Sequence, residues 1–431
     1  MIELWEQYGY KAENALDHLI DPDFLPVLNN EGARYFSRKK EDCLCFKFWK
    51  VEHQEQFRFQ TSYFVGVDWM EDGKAIYVAP KQNNEELEIN YLKMLMDALQ
   101  EEANTKHLDE LFEVDFDKPF IPINQSQDLL TPLLIYQYLK LLKAIVRKGL
   151  RKSYYKIDQN LNARVKGKVL INQTIKQNLV KSKITHTVCR FEEFGINSLE
   201  NKVLKKAFVF SKSVLSNINA DLQNATSSLC SYIEPAFQLV DTEVNMLELK
   251  HVKPNPLFPE YEQALKLAKI ILRKYGYSIS KTTENRIETP PFWIDMSKLF
   301  ELYIYSKLKK TFTLPGEVIY HPSINGLEPD FLIRSRTEEF KMVVDAKYKP
   351  RYRDSTIDID DLRQVSAYAR MKGVYERLQM NDFNQVIDCL IIYSDQHAST
   401  TELDINSMKE NPVSSYVHFY KTAISLPEIN R

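Results

Sequence analysis

The chain has 431 residues, which at roughly 150 residues per domain suggests two or three domains. Hydrophobic residues make up 44% and charged residues 27%, ordinary values for a soluble globular protein. The net charge of −2 excludes global basicity as the means of holding nucleic acid, and with 11 glycines and no Gly-x-x-x-x-Gly-Lys-Ser/Thr segment, nucleotide hydrolysis by this chain alone is not expected.

The start, Met1-Ile2-Glu3-Leu4-Trp5-Glu6, is acidic and mixed, so no signal peptide is expected. Strand-like composition then marks Cys43 to Trp49, Phe57 to Val67 and Ala75 to Val78, with Asp72-Gly73 as a hairpin signal. Cys43-Leu44-Cys45 is half of a metal clamp without its other half and reads as strand. The five cysteines are scattered and odd in number, which fits reduced thiols in a cytoplasmic protein. Glu85 to Gln100 reads as a helix. Acidic Glu110 to Phe120, with Pro119 and Pro122 near its end, reads as a linker. Residues 1–120 are therefore expected to form a mixed β-containing domain.

Residues 121–286 look mainly helical. Helical patterns run over Gln127 to Arg147, Ser198 to Val214 and Tyr261 to Tyr275, with a strand-like piece at Ile184 to Glu192 and a break at Pro254-Asn255-Pro256. Leu129 to Val146 is the longest apolar segment. Gln137, Lys140 and Lys143 interrupt it, so it reads as an amphipathic core helix and not as a membrane span. Two basic patches lie here: Lys148, Arg151, Lys152 and Lys156 with Tyr154 and Tyr155, and Lys202, Lys205 and Lys206. Either is expected to be solvated or to meet DNA or a partner.

Residues 287–431 alternate helix and strand, an α/β order. A helix over Met296–Lys310 leads to strands Val318–His321, Pro329–Arg334 and Phe340–Lys347. A helix around Gln364–Lys372 follows, then a buried strand Val386–Tyr393 and an edge strand at Val417–Tyr420.

The chemistry concentrates in this last part. Asp345 and Lys347 are two apart in a strand and so share a face, and a neighbouring strand opened by Asp330 would set a second carboxylate beside them. Two carboxylates and an ammonium at a sheet edge suit a divalent-metal site for phosphodiester hydrolysis. Glu301 falls on the helix ahead of the first strand. Gln364 and Tyr368 lie four apart, on one helix face. Asp354, Asp358, Asp360 and Asp361 read either as further ligands or as helix N-terminal charge. Lys347, Lys349, Arg351 and Arg353, with Tyr348 and Tyr352 between them, make an alternating basic series that reads as a phosphate grip or as a solvated loop. His186 and His321 read as structural.

Helical Glu, Pro-Asp, Asp-x-Lys and then Gln-x-x-x-Tyr is an order that resembles the PD-(D/E)xK nuclease superfamily. The segments MSKLFELYIYSKL (296–308) and VVDAKYK (343–349) resemble the McrC family, the nuclease subunits of McrBC-type modification-dependent restriction systems. KGLRKSYYKIDQNLNARVKGKV (148–169), CRFEEFGINSLENKVLKKAF (189–208) and YFVGVDWMEDGKAIYVAPK (63–81) extend the likeness towards the start.

The resemblance implies a restriction-endonuclease-like α/β core in 287–431 behind a partner-docking N-terminal domain. It implies Mg2+, or Mn2+, held by Asp330, Asp345, the Ala346 carbonyl and Glu301. Lys347 would orient the attacking water, Gln364 would hold water or phosphate, and Tyr368 would pack or touch the DNA backbone; Lys349, Arg351 and Arg353 are the DNA-binding candidates. It further implies double-stranded, modified DNA as substrate and an McrB-like AAA+ partner, a hexameric ring that binds GTP while this chain binds no nucleotide. A non-catalytic activator of that partner and a standalone RecB-like nuclease are the rival readings.

Overall fold

The computed structural model describes residues 1–9, 19–20, 31–37, 42–51, 57–70, 74–80, 89–99, 101, 104, 107, 111–124, 128–215, 220–244, 258–276, 286–337, 339–348, 357–396, 398, 401–405 and 407–428. It is a mixed α/β chain with several sheets. By compactness it divides in two: residues 1–130 with 283–431 form one unit, and 131–282 the other.

The first unit begins with a five-stranded sheet in the order Ile2–Trp5, Ala75–Ala79, Phe64–Trp69, Phe292–Asp295, Phe112–Val114. A strand from near residue 292 is thus inserted between strands from the first 120 residues, which ties the first and last parts of the chain into one unit. The stretch expected as a linker supplies Phe112–Val114, because its few apolar positions need only pair with the edge of Phe292–Asp295. Gly66 makes the insertion sterically feasible: a Cβ there would collide with the Phe292 carbonyl oxygen. Phe57 to Val67, expected as one strand, is two, Phe57–Thr61 and Phe64–Trp69, in different sheets. The second sheet, antiparallel in the order Leu19–Ile20, Phe57–Thr61, Asp42–Lys50, Glu31–Ser37, shares an aromatic core with the first, including Phe46, Phe48, Phe59, Phe64 and Trp293. Cys43 and Cys45 are strand residues, as expected. Asp72-Gly73 lies outside the described residues.

The other sheet of this unit that concerns function runs Val318–Tyr320, Phe331–Arg334, Lys341–Lys347, Asp388–Ser394, Phe419–Ile424. Its first three strands are antiparallel and its last two pairings parallel. Helices cover both faces. Leu332 and Val343 pack with Leu362, Val365 and Tyr368 of helix Ile359–Tyr368. Their neighbour Phe331 faces the other way and stacks on Tyr305 of helix Met296–Thr311. Asp388–Ser394 is buried along its whole length, which is why its middle, Cys389 to Tyr393, is a continuous apolar run.

The second unit holds helices Leu130–Lys148, Leu199–Leu215, Ala220–Ile233 and Pro259–Gly276. The expected strand is His186–Gly195, and it pairs over ten residues with Ser153–Asn162. That partner was not foreseen, because its exposed face is polar and its sequence rich in Asn and Gln. Across the pair, Arg190 holds Asp158 in a forked ion pair at 2.6 Å.

No helix among the described residues is long and apolar enough to cross a membrane.

Candidate active site

The site is assembled by the sheet and its two covering helices. Trp293, Ile294 and Asp295 continue the N-terminal sheet, and the helix starts at Met296. Buried Asp295 caps it, its side chain accepting from the Lys298 amide at 3.0 Å. One turn and a half later the helix presents Glu301. Strand Val318–Tyr320 ends at His321, whose backbone φ of 45° is left-handed, and whose amide donates to the Asp330 carbonyl at 3.0 Å. The side chain of Asp330 accepts from the Ala346 amide at 2.9 Å. Ala346, expected to offer its carbonyl, meets Asp330 through its N–H.

Asp345 and Lys347 project together, as their spacing requires. Lys347 Nζ lies 2.8 Å from Asp345 Oδ2 and 3.5 Å from Asp361 Oδ1, and donates to Gln364 Oε1 at 3.1 Å. Gln364 Nε2 in turn donates to the hydroxyl of buried Tyr368 at 3.0 Å. Glu301, Asp330, Asp345, Lys347, Gln364 and Tyr368 thus come from four segments of the chain into one cluster.

Two further groups belong to it. His321, expected to be structural, hydrogen-bonds Glu301 through Nε2. Asp361, left open between ligand and helix-end charge, is 7% exposed and faces Lys347. No spacing rule joins residues 301 and 321 or 347 and 361. The only signal was negative: an acidic residue on the inward face of a helix whose Leu362 and Val365 are core. Lys349, Arg351, Arg353 and Asp354 lie outside the described residues.

The electrostatics are those of crowded carboxylates. Burial, together with the charges of Asp345 and Glu301, pushes Asp330 well above the usual carboxylate range, against the pull of the Ala346 amide and Lys347. Burial also raises Asp345, with Asp361 and Glu301 adding to it and Lys347 opposing. Burial would raise Glu301 too, but the His321 hydrogen bond and the charges of Lys298 and His321 outweigh it and hold it at about 2. For Lys347, burial is outweighed by Asp345, Asp361 and Asp330, and its ammonium is held above the usual lysine value.

The donor set fits a divalent cation. Donor atoms of Glu301, His321 and Asp330 all lie within 4.8 Å of one another. Beyond burial, neighbouring carboxylates raise both groups, Asp345 and Glu301 acting on Asp330 and Asp361 and Glu301 on Asp345, and a cation beside them would relieve that repulsion.

Four lysines of the two basic patches have partners within the second unit. Lys148 pairs with Glu260, and Lys202 with Asp241 at 3.1 Å. Lys205 and Lys206 donate to the carbonyls of Val240 and Val244. These lysines serve that unit's packing, although Tyr154 remains widely exposed.

Comparison with known proteins was made on this basis. No curated protein matches the chain. Two solved structures from Thermococcus gammatolerans share 16% identity with it. One, a half-complex from a tetradecameric assembly of McrB AAA+ hexamers with bound McrC, has a TM-score of 0.37 and covers 86% of this chain and 78% of its own. The other, an McrBC complex, has a TM-score of 0.29 and covers 72% of this chain and 87% of its own. The family model described as McrBC 5-methylcytosine restriction system component matches residues 59–378, a span that contains every residue of the cluster. The chain belongs to the McrBC restriction system component family.

Proposed function

We propose that this chain is the metal-dependent DNA endonuclease subunit of an McrBC-like restriction system, built on a PD-(D/E)xK core in residues 287–431. The observation that carries this is Lys347, an ammonium held between Asp345, Asp361 and Gln364 beside the partly buried carboxylates of Asp330 and Glu301. A structural ion pair needs one acid for one base. Here four carboxylates face Lys347, Lys298 and His321, an excess of negative charge suited to cation binding.

Asp330, Asp345 and Glu301 would hold Mg2+ or Mn2+, with the Ala346 carbonyl beside them. When bound, the cation supplies charge for the non-bridging phosphate oxygens and a more acidic water. Lys347, charged at any physiological pH, orients that water and offsets negative charge developing on the phosphate. Gln364 fixes the ammonium's direction and is itself fixed by Tyr368. Lys349, Arg351 and Arg353, which follow Lys347 in the sequence, are the proposed DNA-backbone contacts.

The proposed partner is an McrB-like AAA+ GTPase, a hexameric ring that this chain stimulates through its N-terminal part and that brings modified double-stranded DNA. Family membership as a restriction system component supports a multi-subunit assembly, and the sequence has no phosphate loop of its own.

The test is cleavage of methylated and unmethylated plasmid with Mg2+, by the chain alone, with its AAA+ partner and GTP, and with Lys347→Ala in the same mixture. Cutting only by the complete mixture, lost in the variant, is expected. Cutting by Lys347→Ala at the wild-type rate would sink the assignment. GTP hydrolysis stimulated without any cutting would leave the chain an activator, and cutting by the chain alone a standalone nuclease.

A further inference from the structure

His321 is not explained by the fold around it. It closes strand Val318–Tyr320 with a left-handed backbone, a conformation uncommon for a residue other than glycine. It fills no core position, since its side chain is 29% exposed. Its Nε2 points at Glu301, and Glu301 already has an ammonium partner in Lys298 at 3.2 Å. The groups around the pair are Lys298, Tyr320 and Asp330: Lys298 donates to the Tyr320 hydroxyl at 2.8 Å, and the His321 amide binds the Asp330 carbonyl. One nitrogen and two carboxylate donors from a helix, a strand end and a turn therefore converge within 4.8 Å.

We propose that His321 is a ligand of the divalent cation at this site and biases the site towards Mn2+, or another first-row metal that accepts imidazole, over Mg2+. This rests on the reading that the cluster holds a cation. The chemistry is that of ligand softness. Mg2+ holds to oxygen donors and gives up its water reluctantly, whereas a neutral imidazole nitrogen is a good ligand for transition metals. An all-carboxylate set would be indifferent or favour Mg2+; substituting one nitrogen tips the balance. The Nε2 ligand must be unprotonated, so its hydrogen bond to Glu301 gives way when the ion enters and both atoms turn to the metal.

The experiment uses the full chain and Mn2+ alone as probe. Electron paramagnetic resonance measures Mn2+ affinity, and electron spin echo modulation detects a nitrogen bound to it. Wild type is expected to show nitrogen modulation, needing no variant. His321→Gln should lose it and bind Mn2+ about tenfold more weakly, with Mg2+ affinity, read by competition, changed less than about twofold. His321→Asp should restore Mn2+ binding without nitrogen modulation and improve Mg2+ binding. No nitrogen modulation in wild type, or unchanged Mn2+ affinity in a folded His321→Gln, would overturn the proposal.

Plasmid cleavage run in parallel separates the two readings. Nitrogen-ligated Mn2+ in a chain that never cuts, with partner and GTP present, keeps this inference and removes the nuclease. Mg2+-dependent cutting with no nitrogen on Mn2+ does the reverse.

Discussion

Lys347 Nζ lies 3.5 Å from Asp361 Oδ1, so the ammonium of the central strand is anchored to the first turn of the helix that covers it. With Asp345 on its own strand, Lys347 is held from two elements. Asp361→Asn should keep the fold and lower cleavage about tenfold by loosening Lys347, whereas Lys347→Ala should lower it by about a hundredfold or more. The check is single-turnover cleavage by the complete mixture. Equal rates for Asp361→Asn and wild type would show that Asp345 and Gln364 suffice.

Gln364 and Tyr368 should act as one unit, because the amide bridges the ammonium and the phenol. Gln364→Ala, Tyr368→Phe and the double variant form a cycle. The losses are expected to be non-additive by about 1 kcal/mol in activation free energy. Additive losses would mean that Tyr368 only packs.

Asp330 should cost stability when it is ionised in the metal-free chain. Its folded value is raised, mainly by burial and by the Asp345 and Glu301 charges, so its contribution is present below the unfolded value and is lost as pH rises through the folded one. Asp330→Asn should therefore melt higher than wild type at pH 8 without metal, by roughly 2–4 °C, while abolishing cleavage. A lower melting temperature would contradict the crowding of carboxylates.

Glu301 has the opposite sign. Its folded value is depressed to about 2, so its stabilisation is present above the unfolded value near 4.3 and is lost as pH falls from there through about 2. Wild type and Glu301→Gln should differ most at pH 5–6 and converge towards pH 2. Urea unfolding across that range measures the gap; a gap that widens in acid would reject the His321 and Lys298 pairing.

Two positions test how the ends of the chain are joined. Gly66→Ala should destabilise by about 3 kcal/mol, because the Phe292 carbonyl occupies the space of the new methyl. Tyr348, next to Lys347, donates to buried Glu6 at 2.8 Å, and Tyr348→Phe should cost about 1–3 kcal/mol by leaving that acceptor short of a donor. Denaturant midpoints check both, and an unchanged midpoint in either would dismiss the corresponding contact.

Much of the chain was legible because its signals are local. Helix Met296–Thr311 follows from apolar spacing, strand Asp388–Ser394 from the apolar run Cys389 to Tyr393, and the shared face of Asp345 and Lys347 from the two-residue period of a strand. Strand Ser153–Asn162 was missed because half its surface faces water, and Phe112–Val114 because acidic neighbours masked it.

The sequence by itself determined which residue types the cluster would contain and in what order. A motif carries that, since covalent spacing sets which side chains share a strand face or a helix turn. Only the tertiary structure decided that His321 meets Glu301, that Asp361 faces Lys347, and that Phe292–Asp295 joins a sheet begun 290 residues earlier at Ile2. Those are contacts between elements, set by how a sheet packs against its covering helices, and no local period encodes them.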